Sequence, residues 1–125
     1  MTKSATVLAE IAAERYRQID VEGWSADHDD GHFAGELARA AAAYAVHASV
    51  PEGRTFQADV YGQTIHHVTK SFRIGWFLPA LMLWPWDAEW WKPKDRRRDL
   101  IRAGALIVAE IERLDRAAAN PDTAA

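Results

Sequence analysis

The chain is expected to fold as an all-α helical bundle of three to five helices, and three observations predict this. Apolar residues recur every three or four positions near both ends of the sequence, as one face of a helix requires. Between them lies HFAGELARAAAAYAVHA, whose alanines carry the highest helix propensity. Proline and glycine are concentrated in the segments that separate these stretches, where chain breaks belong.

The first helix is expected from about Ser4, as N-cap, to Ile19, with Val7, Leu8, Ile11 and Ile19 at helical spacing and Glu14 bordering their stripe. Gly23 ends this region. The polar segment SADHDDGHF reads as a loop turning into a second helix that runs from Asp29 or Gly31 to His47. The thin alanine surface of that helix would let a neighbouring helix approach closely. Pro51 and Gly53 then break the chain. The stretch Arg54–Lys70 is open between irregular chain, a short helix and a hairpin.

Five of the six tryptophans lie between Trp76 and Trp91, in an irregular connection where Pro79 limits any helix around Phe77–Leu83. The last helix is expected to begin near Pro93–Asp95, with proline in the first turn and Asp at the positive helix end, and to run to about Ala118. It carries two apolar stripes, Leu100, Gly104, Ile107, Ile111 and Leu114, and Ile101, Ala105 and Val108. Two stripes imply burial on two sides, within a bundle or between subunits. Residues 1–125 therefore read as one domain with frayed ends at 1–3 and 119–125.

Composition narrows the function classes. Without cysteine there is no disulfide framework, thiolate metal site or cysteine nucleophile, which agrees with a cytoplasmic protein. The N-terminus lacks the apolar run of a secretory signal, and the apolar stretch around Ile74–Trp86 is too short and too proline-broken to span a bilayer. A net charge of −3 argues against a duplex-DNA binder working through bulk charge. The distribution is more telling than the total. Six carboxylates and no Lys or Arg fall between Gln18 and Ala38, whereas six basic residues fall between Lys92 and Arg102. One block attracts cations and the other anions.

Carboxylates from different helices, converging in a bundle, would hold Mg²⁺ or Mn²⁺, which prefer oxygen ligands and share their shell with substrate phosphates. The candidates are Glu14, Glu36, Asp95 and Asp99. A second helix that starts by Asp29 would also put Asp29, His32 and Glu36 on one face. Lys94, Arg97 and Arg98, with Lys92 and Arg96 beside them, would neutralise a triphosphate. Trp24, Trp84 or Trp86 would stack on a base. Each has a plainer structural reading: helix-end charges as caps or solvated faces, DRRRD as ion-paired surface, and the tryptophans as packing residues. His28 and His32, four apart, invite a zinc site that His66 and His67 would have to complete. No Walker loop, GxGxxG or Ser/His/Asp motif is present.

Three blocks, ERYRQIDVEGW, HDDGHFAGELARAAAAYA and WPWDAEWWKPKDRRRDLIRAGALIVAEIERLDRA, together resemble small proteins encoded by phages and prophages. Those are linked to the MazG-like, all-α nucleoside triphosphate pyrophosphohydrolase superfamily. The resemblance implies a Mg²⁺-dependent enzyme that cleaves a nucleoside triphosphate between its α and β phosphates. It implies a homo-oligomer, dimer or tetramer, with the site near the subunit boundary, in the cytoplasm of a bacterial host. The superfamily carries Glu-x-x-Glu and Glu-x-x-Asp pairs. Here Glu36 matches one acidic position, while Glu10/Glu14 and Asp95/Asp99 are spaced by four.

Catalysis would then rest on Glu14, Glu36 and Asp99, with metal on Glu14, Glu36, Asp95 and Asp99 and charge stabilisation from Lys94, Arg97 and Arg98. Two other functions fit the same residues. One is a non-catalytic phage protein that sequesters a nucleotide of host-defence signalling with its Arg and Trp residues. The other is an oligomeric structural protein whose tryptophans anchor an interface.

Overall fold

In a computed structural model of the chain, residues 2–49, 82–120 and the backbone of two short strands are described. The all-α class holds. Helix α1 spans Lys3–Asp20, α2 spans Ala26–Asp30, α3 spans Glu36–Ala48 and α4 spans Arg96–Ala119. A 3-10 turn at Ala88–Trp90 lies in the tryptophan-rich connection. Within the open stretch Arg54–Lys70, β1 (Phe56–Ala58) pairs antiparallel with β2 (Thr64–His66), Phe56 opposite His66. The rest of that stretch, His67, the proposed helix at Phe77–Leu83 up to Leu81, and the tail from Pro121 lie outside the described residues.

Two element boundaries differ from the sequence reading, each for a local reason. The N-cap of α1 is Thr2, whose hydroxyl accepts from the Ala5 amide at 3.0 Å, so Ser4 lies inside the helix. The expected single helix from Asp29 to His47 is two. Gly35 sits at φ 86°, a left-handed conformation that ends any helix running through it. Asp29 and Glu36 therefore do not share a helix face. Asp95 caps α4 by accepting from the Arg98 amide at 2.9 Å, as the Pro93–Asp95 start anticipated.

The core is where α3 lies against α4. Leu37, Ala40, Ala41, Ala43 and Tyr44 of α3 pack on Ala103, Leu106 and Ala109 of α4, and Trp84 and Trp91 close the end of this layer. The small α3 side chains allow the close approach that their composition suggested. The two helices run antiparallel, because Arg96 at the start of α4 donates to the Ala48 carbonyl at the end of α3, at 2.8 Å.

Helix α1 crosses α4 at Gly104. A Cβ placed there would lie 2.9 Å from the Ile11 Cδ1 atom, so this contact needs the missing side chain. Helix α1 buries its apolar stripe only in part, at the half-buried Ile11 and Ile19. Its buried residues are Glu14, Arg15 and Gln18, while Val7 and Leu8 face outward. Helix α4 does the same with its first stripe: Leu100, Ile107, Ile111 and Leu114 are exposed. Of the second stripe, Ile101 and Ala105 are buried and Val108 is exposed. Among the described residues, no helix is long and apolar enough to cross a membrane.

Candidate functional site

Arg15 organises the region where α1, α2 and α4 meet. Its guanidinium donates to Asp29 at 2.6 Å and to Glu112 of α4 at 2.9 Å. Asp29 is fully buried, and His28 Nδ1 lies 3.1 Å from its other oxygen. This ion pair was not foreseen, because Arg15 and Asp29 look like ordinary helix-surface charges in sequence. The polar run Glu14, Arg15, Gln18 at helical spacing was the available signal.

Around this anchor, rings form a continuous series. Trp24 and His28 stack with centroids 5.7 Å apart and planes 7° apart. His28 meets His32 at 4.8 Å, His32 meets Trp86 at 5.2 Å, and Trp86 meets Trp84 at 5.0 Å. Trp84 continues to Tyr44 and Trp91 in the core. The series lines a cleft of about 1170 Å³. Trp24 and Trp86 are half-buried and present ring surface to it, whereas Trp84 is buried as its floor. Lys92, Lys94 and Arg102 stand on its rim. Among the described residues neither lysine pairs with a carboxylate, and Lys92 Nζ lies 5.9 Å from the centre of the Trp90 ring.

The expected site residues therefore fall into two groups. Trp24, Trp84, Trp86 and Lys94 share the cleft, and Glu14 lines it from α1. Arg97 and Arg98 turn to a second, smaller cleft of about 550 Å³ beside Glu10, Glu14 and Asp95. There Arg97 forms two hydrogen bonds to Glu10, at 2.6 and 2.7 Å, and Arg98 binds Glu14. With Arg96 on α3, the three arginines of DRRRD tie the start of α4 to both neighbouring helices.

The four carboxylates expected to hold Mg²⁺ or Mn²⁺ are not brought together within one chain. Asp99 lies 3.7 Å from His47, near the end of α3, while Glu36 opens that helix. Eleven residues of helix put about 16 Å between those two positions. Each carboxylate also has a partner on at least one oxygen, the buried Asp99 Oδ2 having no hydrogen bond among the described residues. Glu14 is buried between Arg17 and Arg98. Burial pushes its carboxyl up, but the two guanidiniums outweigh this and hold it below the usual carboxylate range.

Glu36 accepts from the Ala34 amide at 2.6 Å and lies 3.2 Å from His32 Nδ1. Burial again acts upward, and the backbone amides with His32 prevail, lowering its pKa. Asp99, fully buried, accepts from the Lys94 amide at 2.8 Å. Asp95 serves as the α4 cap. These residues, as one chain arranges them, do not fit a divalent-cation site. Among the described residues no three His, Asp or Glu side chains are grouped to hold a metal.

The acidic and basic blocks largely neutralise partners elsewhere. Glu22 pairs with Arg17, Asp29 with Arg15 and Asp30 with Arg116. Among the described residues, the aromatic cleft and its lysines remain open to a ligand. No family model, curated protein or solved structure matches the chain.

Proposed function

We propose that this chain binds a nucleotide in the tryptophan-lined cleft, the base against Trp24 and Trp86 and the phosphates at Lys92 and Lys94. One observation carries the reading: half-buried indole rings and lysines without carboxylate partners share a single concave surface. Indole faces stack on any base, and ammonium groups meet phosphate as point charges. The engaged carboxylates favour binding without chemistry over hydrolysis.

The test is a thermal-shift series with nucleoside triphosphates and cyclic nucleotides, each with Mg²⁺ and with EDTA, followed by product analysis. Stabilisation without Mg²⁺, with the ligand recovered intact, is the expected result. Pyrophosphate release that needs Mg²⁺ would replace this reading with the pyrophosphohydrolase one, its carboxylates completed by a partner subunit. Trp86→Ala is expected to weaken nucleotide binding by roughly 10- to 100-fold, the usual worth of one base–aromatic stack.

The reading includes a homo-oligomer built on the α1–α4 face. Val7 and Leu8 of α1 and Leu100, Ile107, Val108, Ile111 and Leu114 of α4 are exposed on either side of the Ile11–Gly104 crossing. Seven exposed large apolar side chains on two adjacent helices are the kind of patch that marks an interaction site rather than a scatter of single residues. Because Ile11 of α1 already fills the seam at Gly104, the exposed residues flanking that crossing form one composite α1–α4 face, and the same face of a second copy is the fitting occupant. Ile111→Glu is expected to convert the oligomer to monomer in light scattering after size exclusion. A wild-type chain that is already monomeric at high micromolar concentration would rule this face out.

A further inference from the structure

Gln18 lines the same cleft from α1 and is 2% exposed. Its side-chain Oε1 has no hydrogen-bond partner among the described residues. Its backbone carbonyl accepts from the Trp24 amide at 2.9 Å, so the turn that presents the Trp24 ring is fastened to the residue carrying the open acceptor. A buried amide oxygen without a protein donor is uncommon, and beside a concave surface it marks a position where water or a ligand group supplies the donor.

We propose that Gln18 reads the edge of the bound base, its oxygen accepting from a base N–H donor such as the N6 amino group of adenine. This rests on the nucleotide reading of the cleft. A primary amide carries an acceptor and a donor side by side. Adenine offers the complementary edge, the N6 amino group as donor beside a ring nitrogen as acceptor, and glutamine pairs with it in this way. Stacking on Trp24 and Trp86 supplies affinity for any base. The Gln18 amide supplies the discrimination, because a base whose facing edge lacks a donor leaves its oxygen unsatisfied.

The deciding experiment titrates the full chain with ATP and with purine riboside triphosphate, which keeps the ring system and phosphates and lacks only the N6 amino group. ATP is expected to bind at least about tenfold more tightly. Gln18→Met, similar in length and without the amide, is expected to bring the two ligands within about twofold of each other. Equal binding of both ligands by the wild-type chain overturns the role of Gln18 and leaves the stacking site standing. No binding of either ligand overturns both. The wild-type comparison decides the matter even if the variant does not fold.

Discussion

Asp29→Ala is expected to destabilise the fold by about 3–5 kcal/mol, the cost of leaving one member of a buried ion pair without its partner. Asp29 is fully buried and the Arg15 side chain is 7% exposed. Removing the carboxylate strands a guanidinium between α1, α2 and α4. The remaining Glu112 contact does not compensate, because that carboxylate is half-exposed. Urea denaturation measures the loss. A double-mutant cycle with Arg15→Met separates the pair from its surroundings: Arg15→Met is expected to cost much less on the Asp29→Ala background than on the wild type. A loss under about 1 kcal/mol for Asp29→Ala would show that the pair is solvated and no anchor. Because His28 stacks on Trp24 and also contacts Asp29, the same substitution is expected to loosen the Trp24 side of the cleft.

Glu14→Gln is expected to cost about 1.5–3 kcal/mol at neutral pH, the range for hydrogen bonds to a charged group. It is also expected to flatten the acid limb of the stability curve. The Glu14 carboxyl is held below its ordinary value of 4.5 in the fold. The folded state therefore binds that proton less readily than the unfolded chain. The stabilisation is fully present above the ordinary carboxylate range and is lost as pH falls through the folded value. Glu10, held down first by its hydrogen bonds from Arg97, and Glu36 add slope of the same sign, so the variant keeps part of the acid sensitivity. Stability measured by urea at pH steps from 7 to 3 gives the comparison. Parallel curves for wild type and Glu14→Gln would mean that Glu14 titrates alike in the folded and unfolded chains.

Legibility in the sequence followed the range of the interaction. The α4 start was readable because Pro93 and Asp95 act within one turn of it. The second helix was misjudged as one element because alanine-rich propensity is a weak local preference, and one left-handed glycine, Gly35, overrides it. The apolar stripes of α1 and α4 were recognised correctly as periodic. What periodicity cannot show is that the single chain buries the polar face of α1 and leaves Val7, Leu8, Ile107 and Ile111 outside. Grouping Trp24 with Trp84 and Trp86 anticipated neighbours that are 60 or more positions apart in sequence. Glu36 and Asp99 lie apart within one chain because residue type carries no record of the direction of α4 against α3.

From the sequence alone came the helical class, the α4 cap, the alanine surface that lets α3 and α4 approach, and Trp24, Trp84, Trp86 and Lys94 of the cleft. These depend on periodicity, composition and contacts within a few residues. Tertiary structure alone decided that Arg15 pairs with Asp29, that Glu14 is held between Arg17 and Arg98, and that Glu36 and Asp99 stand at opposite ends of α3. An ion pair requires two side chains within a few ångströms, and which charges meet is set by how the helices cross and in which direction they run. Charge content and spacing along one helix carry no record of either.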